Sequence, residues 1–186
     1  MGEPILKEKH YTFADYMTWT GDQRYELIGG ESYLMSPGPN WRHQSISVEL
    51  CTQLNNFLKG KQCKVFAAPF DVRLNADTED DTVVQPDISV VCDRSNLDDH
   101  GCIGAPDLII EILSPSTTRH DRLVKFNLYL NAGVKEYWIV DPSDKHVLTN
   151  ILDNGRYITS AYGDTDNLPV NVLPGCEIDL NAVFAE

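Results

Sequence analysis

Two short apolar runs that each carry a carboxylate constrain this chain more than any other feature. Val83-Val84-Gln85-Pro86-Asp87-Ile88-Ser89-Val90-Val91 is rich in β-branched residues and strand-like, and Asp107-Leu108-Ile109-Ile110-Glu111-Ile112-Leu113 is equally apolar apart from its two acids. Side chains alternate between the faces of a strand, so Gln85, Asp87 and Ser89 share one face of the first run, and Asp107 and Glu111 share one face of the second. An ionised carboxylate inside an apolar sheet is costly unless something compensates it. Two of them about 4 Å apart repel by ~4 kcal/mol at an effective dielectric near 20. A divalent cation removes that penalty, and ligation by oxygen alone suits Mg²⁺ or Mn²⁺.

The residues after the second run add a positive charge. Pro115 breaks the strand, Ser114 to Thr118 supply hydroxyl caps, and Arg119 to Ala132 reads as a helix stopped by Gly133. That helix presents Lys125, and a third apolar strand, Glu136 to Asp141, ends at Pro142. The order strand, strand, helix, strand lets Asp87, Glu111 and Lys125 converge. Two carboxylates, a hard cation and an ammonium are the parts of metal-assisted phosphodiester hydrolysis, in which the ion holds a phosphate oxygen and activates a water while the ammonium stabilises charge developing on phosphorus. The backbone carbonyl of Ile112 is a further candidate ligand. Arg119 and Arg122 precede Lys125 at three-residue steps and offer a small basic stripe to a phosphate backbone, and Gln85 shares the face of Asp87. The blander reading of Lys125 is an exposed ion pair with Asp121, four residues earlier.

Elsewhere, Thr12 can cap a short helix from Phe13 to Thr20, and Tyr25 to Ile28 leads through Gly29-Gly30 to a second strand arm, Glu31 to Met35. Glu26, taken alone, is a solvated acid beside a turn. From Trp41 to Leu58 the apolar residues Ile46, Leu50, Leu54 and Phe57 or Leu58 have helical spacing, so this helix should cover one sheet face. His43 lies in its first turn, where backbone N–H groups favour anions, within reach of a substrate phosphate or a catalytic carboxylate. Lys64 to Leu74 reads as a strand broken at Pro69, Asn75 to Asp81 as a solvated acidic turn, and Cys92 to Ala105 as a loop. Asp153-Asn154-Gly155 joins two strands, His146 to Leu152 and Arg156 to Ala161, into an antiparallel ribbon. The tail offers a short strand at Cys176 to Ile178 and a helical turn at Leu180 to Phe184. These elements predict an α/β (α+β) fold in one domain over residues 1–186. A mixed central sheet is flanked by the Trp41 and Arg119 helices and carries the added ribbon, with residues 1–11 as a lead-in and 83–141 as the core stretch.

Composition restricts the function classes. The chain has 15 basic and 28 acidic residues and a net charge of −13, which disfavours an extended duplex groove because phosphate contacts supply most nucleic-acid affinity. A short transient footprint, or a partner that supplies the basic surface, fits better. Five cysteines at 51, 63, 92, 102 and 176 show no CxxC pair, so they are expected to be reduced core thiols. Met1 to His10 is charged and lacks the apolar centre of a signal peptide, and no run is long enough to span a bilayer, which leads to the expectation of a soluble cytoplasmic protein. GxSxG, HExxH, P-loop and dinucleotide-turn patterns are absent.

A set of residues resembles the PD-(D/E)XK nuclease superfamily and, more closely, its Uma-type branch. They are Tyr25-Glu26-Leu27-Ile28 with Gly30-Glu31, His43, Pro86-Asp87, Pro106 to Thr117, and Lys125 through Gly133-Val134-Lys135-Glu136-Tyr137-Trp138-Ile139-Val140-Asp141-Pro142. The superfamily pattern places a lysine two residues after Glu111, where this chain has Leu113. The resemblance implies that the lysine has moved to the following helix, so that Lys125 takes its role by position. It also implies a restriction-endonuclease-like fold, a Mg²⁺-dependent endonuclease acting on DNA rather than RNA, and Glu26 near the metal as an outer carboxylate or additional ligand. A homodimer, pairing two sites for two strands, is implied as well. The competing expectation is a nuclease-fold module without activity that binds a protein partner.

Overall fold

The computed structural model describes residues 9–35, 38–114 and 121–185. Helix α1 (Phe13–Tyr16) leads to a hairpin of β1 (Tyr25–Ile28) and β2 (Glu31–Leu34), and then to α2 (Trp41–Leu58). Strands β3 (Lys64–Ala67), β4 (Val72–Arg73), β5 (Val83–Val84), β6 (Ile88–Val91), β7 (Leu97–Asp98), β8 (Gly101–Ile103) and β9 (Leu108–Ile112) come next. A π-helical turn, Asp121–Lys125, opens into α3 (Phe126–Ala132), followed by β10 (Glu136–Asp141), β11 (His146–Asp153), β12 (Arg156–Gly163), β13 (Asn167–Pro169), β14 (Glu177–Asp179) and α4 (Leu180–Val183).

The central sheet runs β12-β11-β10-β9-β6-β3, with β9 and β10 parallel and the other pairs antiparallel. A second sheet runs β2-β1-β5-β4-β8-β7, and β13 pairs with β14. The architecture is thus the expected mixed α+β one. The predicted ribbon forms around Asn154-Gly155, both with positive φ, and continues the central sheet as its edge rather than standing apart from it.

Alternation in β9 divides the core. Leu108, Ile110 and Ile112 join Ile88, Val90, Trp138 and Val140 on the face that receives Ile46, Leu50, Leu54 and Leu58 of α2. Burying each such side chain stabilises by ~1.5–3 kcal/mol. Asn40 starts that helix, its Oδ1 accepting from the His43 N–H at 3.0 Å. Ile109 and Leu113 lie on the other face with Tyr129, Val134, Tyr137 and Ile139. There α3 ends at Gly133, whose φ of 82° is the left-handed conformation that a C-terminal cap requires.

Several local expectations are revised. The run Val83 to Val91 is two strands, because Pro86 has no N–H to donate and the chain passes there from the second sheet into the central one. Residues 92–105 are not a plain loop but include the β7–β8 hairpin. In the acidic turn Asp77 and Glu79 are exposed as expected, but Asp81 is buried, 3.0 Å from His10 Nε2, and Asp80 pairs with Arg73 at 2.7 Å, so the end of the turn is tied down. The first helix stops at Tyr16 rather than Thr20. Cys63 and Cys92, which flank the paired strands β3 and β6, form a disulfide instead of staying reduced, while Cys51, Cys102 and Cys176 are free. Spacing along the chain carries no hint of that bond, since cross-strand adjacency depends on a register that spacing does not reveal. Among the described residues no helix is long and apolar enough to cross a membrane.

Candidate active site

The β6–β9 register builds the carboxylate pair. Ile88 lies opposite Ile110 and Ser89 opposite Ile109, so one further step places Asp87 opposite Glu111. Directly opposed residues on antiparallel strands have Cβ atoms roughly 4.5–5.5 Å apart. Asp87 Oδ2 accepts from the Ile112 N–H at 2.8 Å, and His43 Nε2 lies 3.3 Å from the same oxygen. The first bond satisfies a backbone donor of β9 with a carboxylate where β6 has ended. The second contact reaches across from the opening turn of α2.

Glu111 is only 4% exposed, and its Oε1 accepts from Lys125 Nζ at 2.9 Å and from the Tyr129 hydroxyl at 2.6 Å. Lys125, equally buried, also lies 3.0 Å from Oε1 of Glu26. Glu26 enters on β1 of the second sheet, and the same oxygen accepts from the Gln85 backbone N–H at 3.0 Å. The Lys125 ammonium therefore bridges an acid from each sheet. Burial and the nearby Glu111 and Glu26 charges push the Tyr129 phenol well above its ordinary range, so its hydroxyl keeps its proton and acts as a donor.

The structure thus gathers Glu26, His43, Asp87, Glu111, Ile112 and Lys125 into one linked group. It does not bring in the side chain of Gln85, which bonds to Arg24, Tyr16 and Asp71; only its backbone N–H reaches Glu26. Arg119 lies outside the described residues, and so does the side chain of Arg122. Asp107 is engaged elsewhere, accepting from Cys92 N–H at 2.7 Å and pairing with Lys135 at 2.6 Å. Glu26 is buried rather than solvated, and Lys125 faces inward, unlike an exposed partner of Asp121. Tyr129 escaped the sequence reading. Its signal was the four-residue step from Lys125, which puts both on one helix face.

The donor set fits a hard divalent cation. Asp87, Glu111 and the Ile112 carbonyl offer oxygen only. Among the described residues the Lys125 ammonium lies between two carboxylates, Glu26 and Glu111, and the third, Asp87, lies against His43 and the Ile112 N–H. A further group, Asp141, Asp144 and His146, brings one donor atom from each to within 4.8 Å of the others. The Asp141 carboxylate there is already closing a turn, accepting from the Ser143 and Asp144 N–H groups.

Fold and site together define a restriction-endonuclease-like α+β protein. The chain belongs to the Uma2 family, described as "Putative restriction endonuclease", which matches residues 13–181. It is 32% identical over 163 residues to an uncharacterized protein of Synechocystis sp. strain PCC 6803, an alignment covering 86% of this chain and 84% of that one. A crystal structure of a "putative nuclease belonging to DUF820" from Anabaena variabilis shares the fold with a TM-score of 0.75 at 21% identity, covering 94% of this chain and 97% of that one.

Proposed function

We propose that this chain is an endonuclease that hydrolyses phosphodiester bonds in DNA with Mg²⁺ or Mn²⁺, Asp87, Glu111 and the Ile112 carbonyl holding the ion. The observation that carries the reading is the Lys125 ammonium, 2.9 Å from Glu111 and delivered by a helix where the strand itself has Leu113. Family membership supports it. When bound, such an ion polarises a phosphate oxygen and acidifies the attacking water.

The protein's own groups do the rest. The Ile112 N–H and His43 fix the Asp87 carboxylate before substrate arrives, so no reorganisation is needed at the moment of reaction. Lys125 supplies positive charge where negative charge grows on the phosphate. Glu26 spends Oε1 on Lys125 and on the Gln85 N–H, so its part is to hold the ammonium in place. Arg119 and Arg122 would extend the contact along the phosphate backbone. The proposal includes a single domain, a cytoplasmic location and pairing of two chains so that both strands are cut.

The test is a panel of supercoiled plasmid, single-stranded DNA, RNA and a model phosphodiester, each with Mg²⁺ or Mn²⁺. Plasmid nicking by the wild type is expected, with its loss in Glu111→Ala together with the heat of metal binding. If none of these substrates is cleaved and no ion is taken up, the reading is wrong. One observation favours a second reading, an inactive nuclease-fold module that binds a protein partner. Lys125 already balances part of the charge of Glu26 and Glu111, so the site can rest without an ion, and the net charge of −13 suits a partner less acidic than DNA.

A further inference from the structure

Tyr129 is fully buried, and its ring meets that of Tyr137 edge-on, with centroids 4.9 Å apart. It packs among Ile109, Leu113, Val134 and Ile139, surroundings in which phenylalanine would serve equally well. Its hydroxyl nevertheless ends 2.6 Å from Glu111 Oε1, the oxygen that also accepts from Lys125. Tyr157 provides a contrast: it packs against the same cluster, and its hydroxyl is satisfied by the Val134 carbonyl at 2.9 Å.

We infer that Tyr129 is a positioning residue that, with Lys125, holds the Glu111 carboxylate in its metal-binding orientation. The inference rests on the metal-dependent nuclease reading, and its basis is geometric. A glutamate on an interior strand has three side-chain torsions, and only contacts at its carboxylate keep that group in one orientation. Lys125 is a flexible donor that Glu26 also draws. The phenol is rigid, locked by its buried ring, and so sets the direction of the oxygen it touches. Partners of this kind, which orient a ligand without touching the ion, typically cost 10–100-fold in metal affinity when removed.

The experiment is Tyr129→Phe, titrated with Mg²⁺ by calorimetry beside the wild type and Tyr157→Phe, with thermal unfolding of each metal-free protein. The expected result is a rise of about 10–100-fold in Kd for Tyr129→Phe. For Tyr157→Phe the unfolding temperature should fall while Kd stays within about twofold of the wild type. A merely structural tyrosine would move the unfolding temperature of both variants and the Kd of neither. Equal Kd for Tyr129→Phe and wild type overturns the inference and leaves the nuclease reading standing, whereas a wild type that takes up no Mg²⁺ overturns both. Should Tyr129→Phe fail to fold, Mg²⁺ titration of the wild type monitored by ultraviolet difference absorption decides. A buried-tyrosine signal that saturates with the calorimetric midpoint supports the inference, and a flat spectrum rejects it.

Discussion

Replacing Lys125 by alanine removes an ammonium that is 4% exposed and lies 3.0 Å from Glu26 and 2.9 Å from Glu111. An exposed pair with Asp121 would be worth a few tenths of a kcal/mol, and its loss would leave the fold untouched. The bridging position implies something larger. Two carboxylates, each no more than 5% exposed, would lose the ammonium they share, and breaking a buried pair in this way costs about 3–5 kcal/mol. That is a large share of the 5–15 kcal/mol that holds a typical domain together. For a chain of this length each kcal/mol lowers Tm by roughly 2–4 °C, so the variant should melt some 6–20 °C lower, read by circular dichroism at neutral pH without added metal. Lys125→Ala/Glu111→Gln removes one stranded charge and relieves a repulsion of several kcal/mol at the ~4 Å scale, so it should melt above the single variant. A single variant within a degree or two of wild type, or a double variant less stable than the single, refutes the bridging argument. Cleavage by Lys125→Ala must therefore be measured well below its own Tm. There the rate should fall by on the order of 10²–10³.

The disulfide between Cys63 and Cys92 closes a loop with a sequence separation of 29. By loop-closure entropy, reducing it or replacing both residues by serine should cost about 3.5 kcal/mol, measured as a fall in the urea midpoint; an unchanged midpoint would mean that the thiols stay reduced in the working protein. Glu136 is fully buried, accepting from the Trp138 indole and the Val172 N–H at 2.8 Å each, and burial raises its carboxyl above the ordinary 4.5 despite those bonds. A folded-state pKa above the unfolded one gives a contribution that is present below the unfolded value and lost as pH rises through the folded one. Glu136→Gln should therefore flatten the loss of stability as pH rises above the ordinary carboxylate range, and parallel profiles for the two proteins would contradict this.

What the sequence made legible is what local physics decides. Ile46, Leu50 and Leu54 specified the α2 stripe and are buried, and of Phe57 and Leu58, between which spacing did not choose, Leu58 is the buried one. The carboxylates set into β-branched runs drew attention to Asp87 and Glu111, because such runs are buried whichever strands they pair with; Glu111 is buried and Asp87, just outside β6, is half-buried. Legibility ended where the outcome depended on which strands meet. Glu26 read as solvated because its own neighbours are a turn and a hairpin, and it is buried because β1 pairs with β5 and Lys125 comes down upon it. Cys63 and Cys92 bond because β3 pairs with β6 in one register, and a shift of one residue would have separated them. Gln85 fitted the period-two pattern on paper, but the chain changes sheets at Pro86, and its side chain goes to Arg24, Tyr16 and Asp71 instead.

The departure at residue 113 shows why a fixed spacing is the wrong unit for reading this site. Leu113 continues the strand, its N–H donating to the Val140 carbonyl at 2.8 Å, and it lies buried among Val72, Tyr129 and Ile139. A lysine in that place would have to bring its ammonium out of an apolar cluster. Delivered from the residue just before α3 instead, the nitrogen lies 2.9 Å from Glu111 and 3.0 Å from Glu26, and the position in the cluster is left to Leu113. The turn that ends at Lys125 is π-helical and runs directly into α3. Single turns of this kind recur where a side chain must be redirected at a functional site. Stabilising negative charge on a phosphate requires a positive nitrogen at a point in space, and the start of a helix can supply it as well as a strand. Charge placement around Glu111 can therefore be kept while the sequence motif that usually announces it is gone.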